Sequence, residues 1–202
     1  MYRSITVITA VLCSSCAQLP YSPVPEPKQS QSHAVVFDID GTLTPNVFDI
    51  FETRVDAAKA VRAYSDKGYK IIYLSTRGGW ISSGIPSWLM QHEFPEGSVH
   101  VAQNSEERQF PDRYKTRMLQ KYISAGWKVD YAFGDSSTDF LAYAAVGIPK
   151  ERVFALRRRG QSDCQAGVAA ECLADWPHHL KFVSSSVPNV SNQQSLAPNN
   201  SR

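Results

Sequence analysis

Short apolar runs punctuate this chain, and between them the apolar residues recur at helical spacing. The runs at 35–37, 71–74, 99–101, 131–133 and 153–156 have the length and character of buried strands. After the first run, Ala57, Ala60, Val61 and Tyr64 fall on one face of an amphipathic stretch over 55–64. A short helix is predicted over 86–91, a longer one over 111–123 with Pro111 in its first turn, and another over 139–146. Strand–helix alternation of this kind predicts an α/β domain: a mostly parallel sheet with helices on both faces.

Composition changes that picture only at the ends. The 202 residues are 43% hydrophobic and 20% charged, which fits one globular domain with extended termini. A formal net charge of +2 argues against a dedicated nucleic-acid binder. No apolar run approaches the roughly 18–20 residues that span a bilayer. The first 15 residues have the pattern of an export signal: Arg3, an apolar stretch over 5–12, then small residues Ser14, Ser15 and Ala17 flanking Cys16. The segment resembles a bacterial lipoprotein signal, in which that cysteine is lipidated, although Cys13 stands where such signals usually carry Leu. Export would place the protein in the periplasm or anchor it to a membrane through Cys16. The alternative is a buried N-terminal strand. Pro20, Pro23, Pro25 and Pro27 make 16–32 an extended tether, and the Ser-, Asn-, Gln- and Pro-rich residues 184–202 read as a disordered tail. The folded domain is therefore expected over 33–183. Within it Cys164 and Cys172 are the only cysteines. In an oxidising compartment they would form a disulfide contributing about 2.5 kcal/mol; the alternative is two free thiols.

The chemistry gathers at the strand ends. The first strand runs into Asp38 and Asp40, the second into Ser75, Thr76 and Arg77, and the strand at 131–133 into Gly134 and Asp135, with Asp139 in the next helix. In a parallel sheet these ends converge on one edge. Paired carboxylates there can hold a divalent cation, and one can attack phosphorus. Phosphoryl transfer also needs a cation against the phosphate charge. Lys115 is the best-placed lysine, with Arg113 as the fallback. Each residue has a plainer role open to it. Asp38-Ile39-Asp40-Gly41 could be a strand and turn, Ser75 and Thr76 helix caps, Asp139 a helix N-terminal charge, and Lys115 a solvated lysine.

Asp38-Ile39-Asp40-Gly41-Thr42, Ser75, Lys115 and the Gly134–Asp139 segment, in that order, resemble the four motifs of the haloacid dehalogenase (HAD) superfamily. Tyr73-Leu74-Ser75-Thr76-Arg77 and the segments at 88–95, 111–115, 133–143 and 145–149 are similar to the lipin-type (LNS2) phosphatidate phosphatase domain, which membrane-associated phosphatidylinositol transfer proteins share. The resemblance implies a HAD-like Rossmannoid three-layer α/β/α fold. It implies Asp38 as the nucleophile and Asp40 as general acid and base. Mg²⁺ would be held by Asp38, the Asp40 backbone carbonyl, Asp135 and Asp139, and Ser75, Thr76 and Lys115 would bind the phosphoryl oxygens. Lipins carry Asn in place of Asp135. The transfer-protein relatives lack the first Asp, which this chain keeps as Asp38.

Two spacings bear on the substrate. Neither 44–55 nor 77–111 leaves room for a large cap domain, so an open site is expected, suited to a large or membrane-embedded phosphate ester. Trp80, Ile81 and Trp88, and the run Arg157-Arg158-Arg159, are candidates to meet a membrane surface, with core packing the plainer role for Trp88 and a solvated loop the equal alternative for the arginines. The expectation is a Mg²⁺-dependent phosphatidate phosphatase. Its rivals are an exported phosphatase of soluble monoesters such as nucleotides, and a phosphatidate-binding module with little turnover.

Overall fold

The computed structural model describes residues 20–28 and 31–190, the side chains of residues 79 and 80 excepted. Six strands form one sheet: β1 (His33–Asp38), β2 (Lys70–Ser75), β3 (Ser98–Val101), β4 (Lys128–Gly134), β5 (Val153–Leu156) and β6 (Glu171–Leu173). Their order is β3-β2-β1-β4-β5-β6 and every pairing is parallel. The strand order reverses between β1 and β4. That opens a crevice at their carboxyl ends, where α/β folds of this kind place ligands.

Successive strand residues point to opposite faces, and both faces are covered. Val35 and Phe37 of β1 pack with α1 (Ala57–Asp66), α2 (Ile85–Gln91) and α6 (Trp176–Ser186). Ala34 and Val36 pack with α4 (Pro111–Ser124) and α5 (Ser137–Ala145). The short α3 (Ser105–Gln109) is capped by Asn104, whose side chain accepts from the Glu107 backbone N–H at 2.9 Å. Across the first face, Phe37 stacks on Phe133 at 4.8 Å and Phe133 on Phe154 at 5.2 Å. Each fully buried ring contributes about 1.5–3 kcal/mol. The stack also fixes register: Phe37 opposite Phe133 brings Asp38 beside Gly134 and Asp135.

The predicted strands and helices are all present, with ends shifted by up to three residues, and the short α3 is an addition to them. Three features differ from expectation. First, β6 and α6 lie beyond the last predicted strand. β6 is three residues long with a single buried position, too little to leave a pattern, and it joins the sheet beside β5. Second, the folded body passes residue 183: α6 runs to Ser186, and Val187 and Val190 are buried in the core. Only residues 191–202 of the expected tail remain, and they lie outside the described residues, as do 1–19 with Cys16. Third, residues 20–28 of the expected tether are docked. Tyr21 bridges antiparallel to His100 on the edge strand β3, Val24 packs into the second core, and Trp127 Nε1 donates to Pro25 O at 2.7 Å. Prolines keep this segment extended, and an extended segment can lie along a sheet edge as readily as in solvent. Cys164 and Cys172 are bridged, their Cα atoms 5.8 Å apart, so the loop after β5 is tied to β6. No described helix is long and apolar enough to cross a membrane.

Candidate active site

Asp38 is the last residue of β1 and is buried. Its Oδ2 accepts from Thr42 Oγ1 at 2.9 Å, and its Oδ1 accepts from Lys115 Nζ. The turn that follows folds back on one carbonyl: Ile39 O accepts from the backbone N–H groups of Thr42, Leu43 and Thr44 at 3.3, 2.9 and 3.1 Å. Gly41 makes this turn at φ +84°, a region other residues avoid. It also leaves room for the acid opposite, because a Cβ there would lie 1.8 Å from Asp135 Oδ2.

Asp139 holds the second half of the site. Its Oδ2 accepts from the backbone N–H groups of Asp135 and Ser136 at 3.1 and 3.0 Å and from Ser136 Oγ at 2.8 Å, a capping box that opens α5. Its Oδ1 accepts from Lys115 Nζ at 2.5 Å. Lys115, from the second turn of α4, is itself buried and joins the end of β1 to the β4–α5 loop. The sequence left open a solvated lysine, and the structure excludes it. Arg113, the alternative cation, lies over the Phe110 ring at 4.6 Å instead.

Asp38, Asp135 and Asp139 each present a carboxylate oxygen within 4.8 Å of the others, and all three are buried. Burial pushes Asp38 well above the ordinary carboxylate range; Lys115 opposes this, and the charges of Asp139, Asp135 and Asp40 add to it. Burial likewise raises Asp135 to about 6, against the hydrogen bond from Arg158. Burial alone would lower Lys115, but Asp139 and Asp38 outweigh it and the ammonium keeps its charge. Lys115 and Arg158, which pairs with Asp135, together leave the three buried carboxylates one positive charge short when all are ionised. A cluster of hard oxygen donors with excess negative charge fits Mg²⁺.

Asp40 sits at the mouth of this cluster in a different setting. Its Oδ1 accepts from Arg77 Nε and Nη2 at 2.8 and 2.5 Å, and its Oδ2 accepts from Ser75 Oγ at 2.7 Å. Ser75 Oγ accepts in turn from the Arg77 backbone N–H at 2.9 Å. The Ser75 hydroxyl, expected on phosphate, is thus turned toward the neighbouring acid. Thr76 follows it on the same edge, half-buried. The Asp40 side chain does not belong to the three-carboxylate cluster, consistent with a metal contact through its carbonyl alone.

Three arginines with no site role assigned from the sequence complete the site, Arg77 among them although it stands at a predicted strand end. Arg77 grips Asp40. Arg158, expected at a membrane or in solvent, reaches back to Asp135 Oδ2. Arg54 donates to five backbone carbonyls, those of Gly41, Thr44, Pro45, Arg157 and Ala174, and so ties the turn after Asp38 to the loops after β5 and β6. Only Arg54 lacked any sequence signal, since it belongs to no strand end and no periodic face. Trp176 of α6 supports the same turn, donating from Nε1 to Thr42 O at 3.3 Å. Of the residues expected at a membrane, Trp88 is buried in the core with its Nε1 on Phe51 O at 3.1 Å. Ile81 is half-buried, and the Trp80 side chain lies outside the described residues.

The sequence model for the LNS2 domain of PITM 1-3 matches residues 35–157. Membrane-associated phosphatidylinositol transfer protein 3 of Homo sapiens is 30% identical over 138 residues, which cover 65% of this chain and 14% of that protein. Membrane-associated phosphatidylinositol transfer protein 1 of Rattus norvegicus is 31% identical over 140 residues, covering 66% and 11%. Protein retinal degeneration B of Drosophila melanogaster is 28% identical over 172 residues, covering 83% and 13%. The chain therefore spans 14% or less of the length of these relatives. Among solved structures, a chain of the Pnkp1/Rnl/Hen1 RNA repair complex superimposes with a TM-score of 0.54 at 16% identity, over 76% of this chain and 50% of that one. That likeness is one of fold.

Proposed function

The chain belongs to the LNS2 domain family, and on that premise we propose that it is a Mg²⁺-dependent phosphatase of the HAD type, acting on phosphatidate to release diacylglycerol and phosphate. The observation that carries the proposal is the unequal setting of two acids one residue apart. Asp38 is buried against Lys115 and two further carboxylates, whereas Asp40 faces the mouth in the grip of Arg77 and Ser75. Paired acids held in different environments divide into different roles.

Asp38 attacks phosphorus through a carboxylate oxygen as the bond to the lipid alcohol breaks, and the phosphoryl group passes to Asp38. Asp40 first takes a proton from solvent as its bonds to Arg77 and Ser75 open, and then gives that proton to the departing alkoxide. Asp40, now ionised, takes a proton from water, which attacks phosphorus and frees Asp38 and inorganic phosphate. Lys115 keeps Asp38 oriented and offsets charge on the phosphoryl oxygens. Ser75 and Thr76 would donate to those oxygens, Ser75 by exchanging its bond to Asp40. Asp38, Asp135 and Asp139, with the Asp40 carbonyl, would hold Mg²⁺. When bound, that ion neutralises the carboxylate cluster and the phosphate charge that would otherwise repel one another. We further propose that residues 1–15 direct export and that a lipidated Cys16 keeps the domain at a membrane.

The test is phosphate release from phosphatidate vesicles and from a panel of soluble monoesters, with Mg²⁺ and with EDTA. Mg²⁺-dependent turnover of the vesicles is expected. Equal turnover in EDTA would defeat the mechanism, and turnover of soluble esters alone would defeat the lipid assignment. Tight binding of phosphatidate with no release of phosphate would leave a binding module.

A further inference from the structure

The loop between β1 and α1 carries three large apolar side chains in solvent beside the active site. Phe48 is 87% exposed, Phe51 72% and Val55 73%. The backbone beneath them is pinned. Asn46 Oδ1 accepts from the Phe48 and Asp49 N–H groups at 2.7 and 3.0 Å, Phe51 O accepts from Trp88, and Arg159 holds both Asp49 and Glu52. The rings are therefore presented outward from a fixed loop. Cations lie next to them: Val55 shares a cleft of about 280 Å³ with Arg54, Arg157, Arg158 and Arg159. Of the loop's four acids, Asp49 and Glu52 pair with Arg159, Asp40 with Arg77 and Asp56 with Lys59, which leaves the half-buried Arg157 without a carboxylate partner among the described residues, its side chain donating to Ser162 O at 3.2 Å. The chain also enters the described structure at this edge. Tyr21 pairs antiparallel with His100, and Pro20 O accepts from Gln103, just past the carboxyl end of β3, at 3.3 Å.

Exposed aromatics beside cations on the face that carries a catalytic site match the chemistry of an anionic lipid surface. We propose that Phe48, Phe51 and Val55 insert into a bilayer and seat the active-site edge on it, with Arg157 meeting lipid phosphates at the rim. The choice of occupant rests on the phosphatidate assignment. Insertion is read separately from turnover, by placing a fluorophore at Phe48→Trp in the full chain and adding phosphatidate-containing vesicles with brominated acyl chains. Quenching beyond that of the wild type is expected. The double variant Phe48→Ser/Phe51→Ser should lose at least tenfold in vesicle phosphatidate turnover and keep its rate on a soluble monoester. An unquenched Phe48→Trp, even with phosphatidate turnover intact, overturns the insertion and leaves the proposed activity standing. Quenching without phosphatidate turnover supports insertion and overturns the substrate. Wild-type self-association in light scattering that the double variant abolishes, with no quenching, assigns the patch to a second copy of the chain and refutes the proposal.

Discussion

Gly41→Ala separates the geometry of the site from the stability of the fold. The substituted residue meets two penalties. Its φ of +84° lies in the left-handed region, which costs a residue with a Cβ about 1–2 kcal/mol. The second penalty is steric and local. The new Cβ would lie 1.8 Å from Asp135 Oδ2, 2.5 Å from its Cγ and 3.3 Å from its Cβ, so the conflict is with the carboxylate tip. A tip can swing away without unfolding the domain, but in swinging it leaves the three-carboxylate cluster and Arg158. The expected melting loss is modest, roughly 2–8 °C for a domain of this size. The expected loss in Mg²⁺ affinity is larger, at least about a hundredfold, since disturbing even an outer ligand partner costs 10–100-fold. Gly147→Ala supplies the control: φ is +78° there, and a Cβ would meet nothing within 4 Å. It should melt lower by a similar amount and bind Mg²⁺ normally. Calorimetric Mg²⁺ titration and the Mg²⁺ dependence of phosphate release measure the effect. If Gly41→Ala keeps half-saturation within twofold of wild type, Asp135 is not a ligand and the site has been drawn wrongly.

Acid should weaken the fold through two histidines. Burial lowers both His100 and His179 to about 4, so between pH 6.5 and 4 the unfolded chain binds protons that the folded chain refuses. The two histidines lower stability as pH drops through that window, by up to about 3 kcal/mol each, while Asp135, raised to about 6 by burial, acts in the opposite sense and offsets part of the fall. His100→Gln should flatten the urea midpoint against pH there, and an unchanged profile would show that His100 does not drive the fall. Arg54→Met removes the donor to five carbonyls and should cost about 3 kcal/mol along with most activity; loss of activity with an unshifted urea midpoint would contradict a role in holding the loops. Replacing Cys164 and Cys172 with Ser should lower stability by about 2.5 kcal/mol and loosen Arg158 from Asp135, measured as a lower urea midpoint and weaker Mg²⁺ binding. A variant as stable as the wild type would mean that the bridge contributes nothing.

The central strands were legible because each buries both faces, so Val35 to Phe37 or Ile71 to Leu74 reads as an unbroken apolar run. The acids at their ends were legible for a topological reason: parallel strands bring Asp38, Ser75 and Asp135 to one edge wherever the helices fall. Lys115 could be nominated from its place in the first turns of α4, but its burial needed the fold. The missing parts make contacts that periodicity does not encode. Arg54 binds backbone carbonyls, which any sequence supplies. Arg158 is separated from Asp135 by α5 and β5, and a run of three arginines reads as a solvated loop. β6 has one buried residue, and α6 lies behind a loop whose shape depends on the disulfide. The prolines of residues 20–28 correctly signalled an extended backbone and said nothing about whether an edge strand would receive it. Phe48 and Phe51 left no sequence signature because exposure is decided by what does not pack against a residue.

The account stands most directly on Asp38 as the group that receives phosphate. Radiolabelled acetyl phosphate, whose leaving group needs no proton from Asp40, mixed with the Asp40→Asn variant, quenched in acid and digested, should leave label on the peptide that contains Asp38, because the acyl phosphate forms and its hydrolysis lacks a base. Label on any other residue, or full turnover by Asp38→Asn with no labelled protein at all, would contradict it.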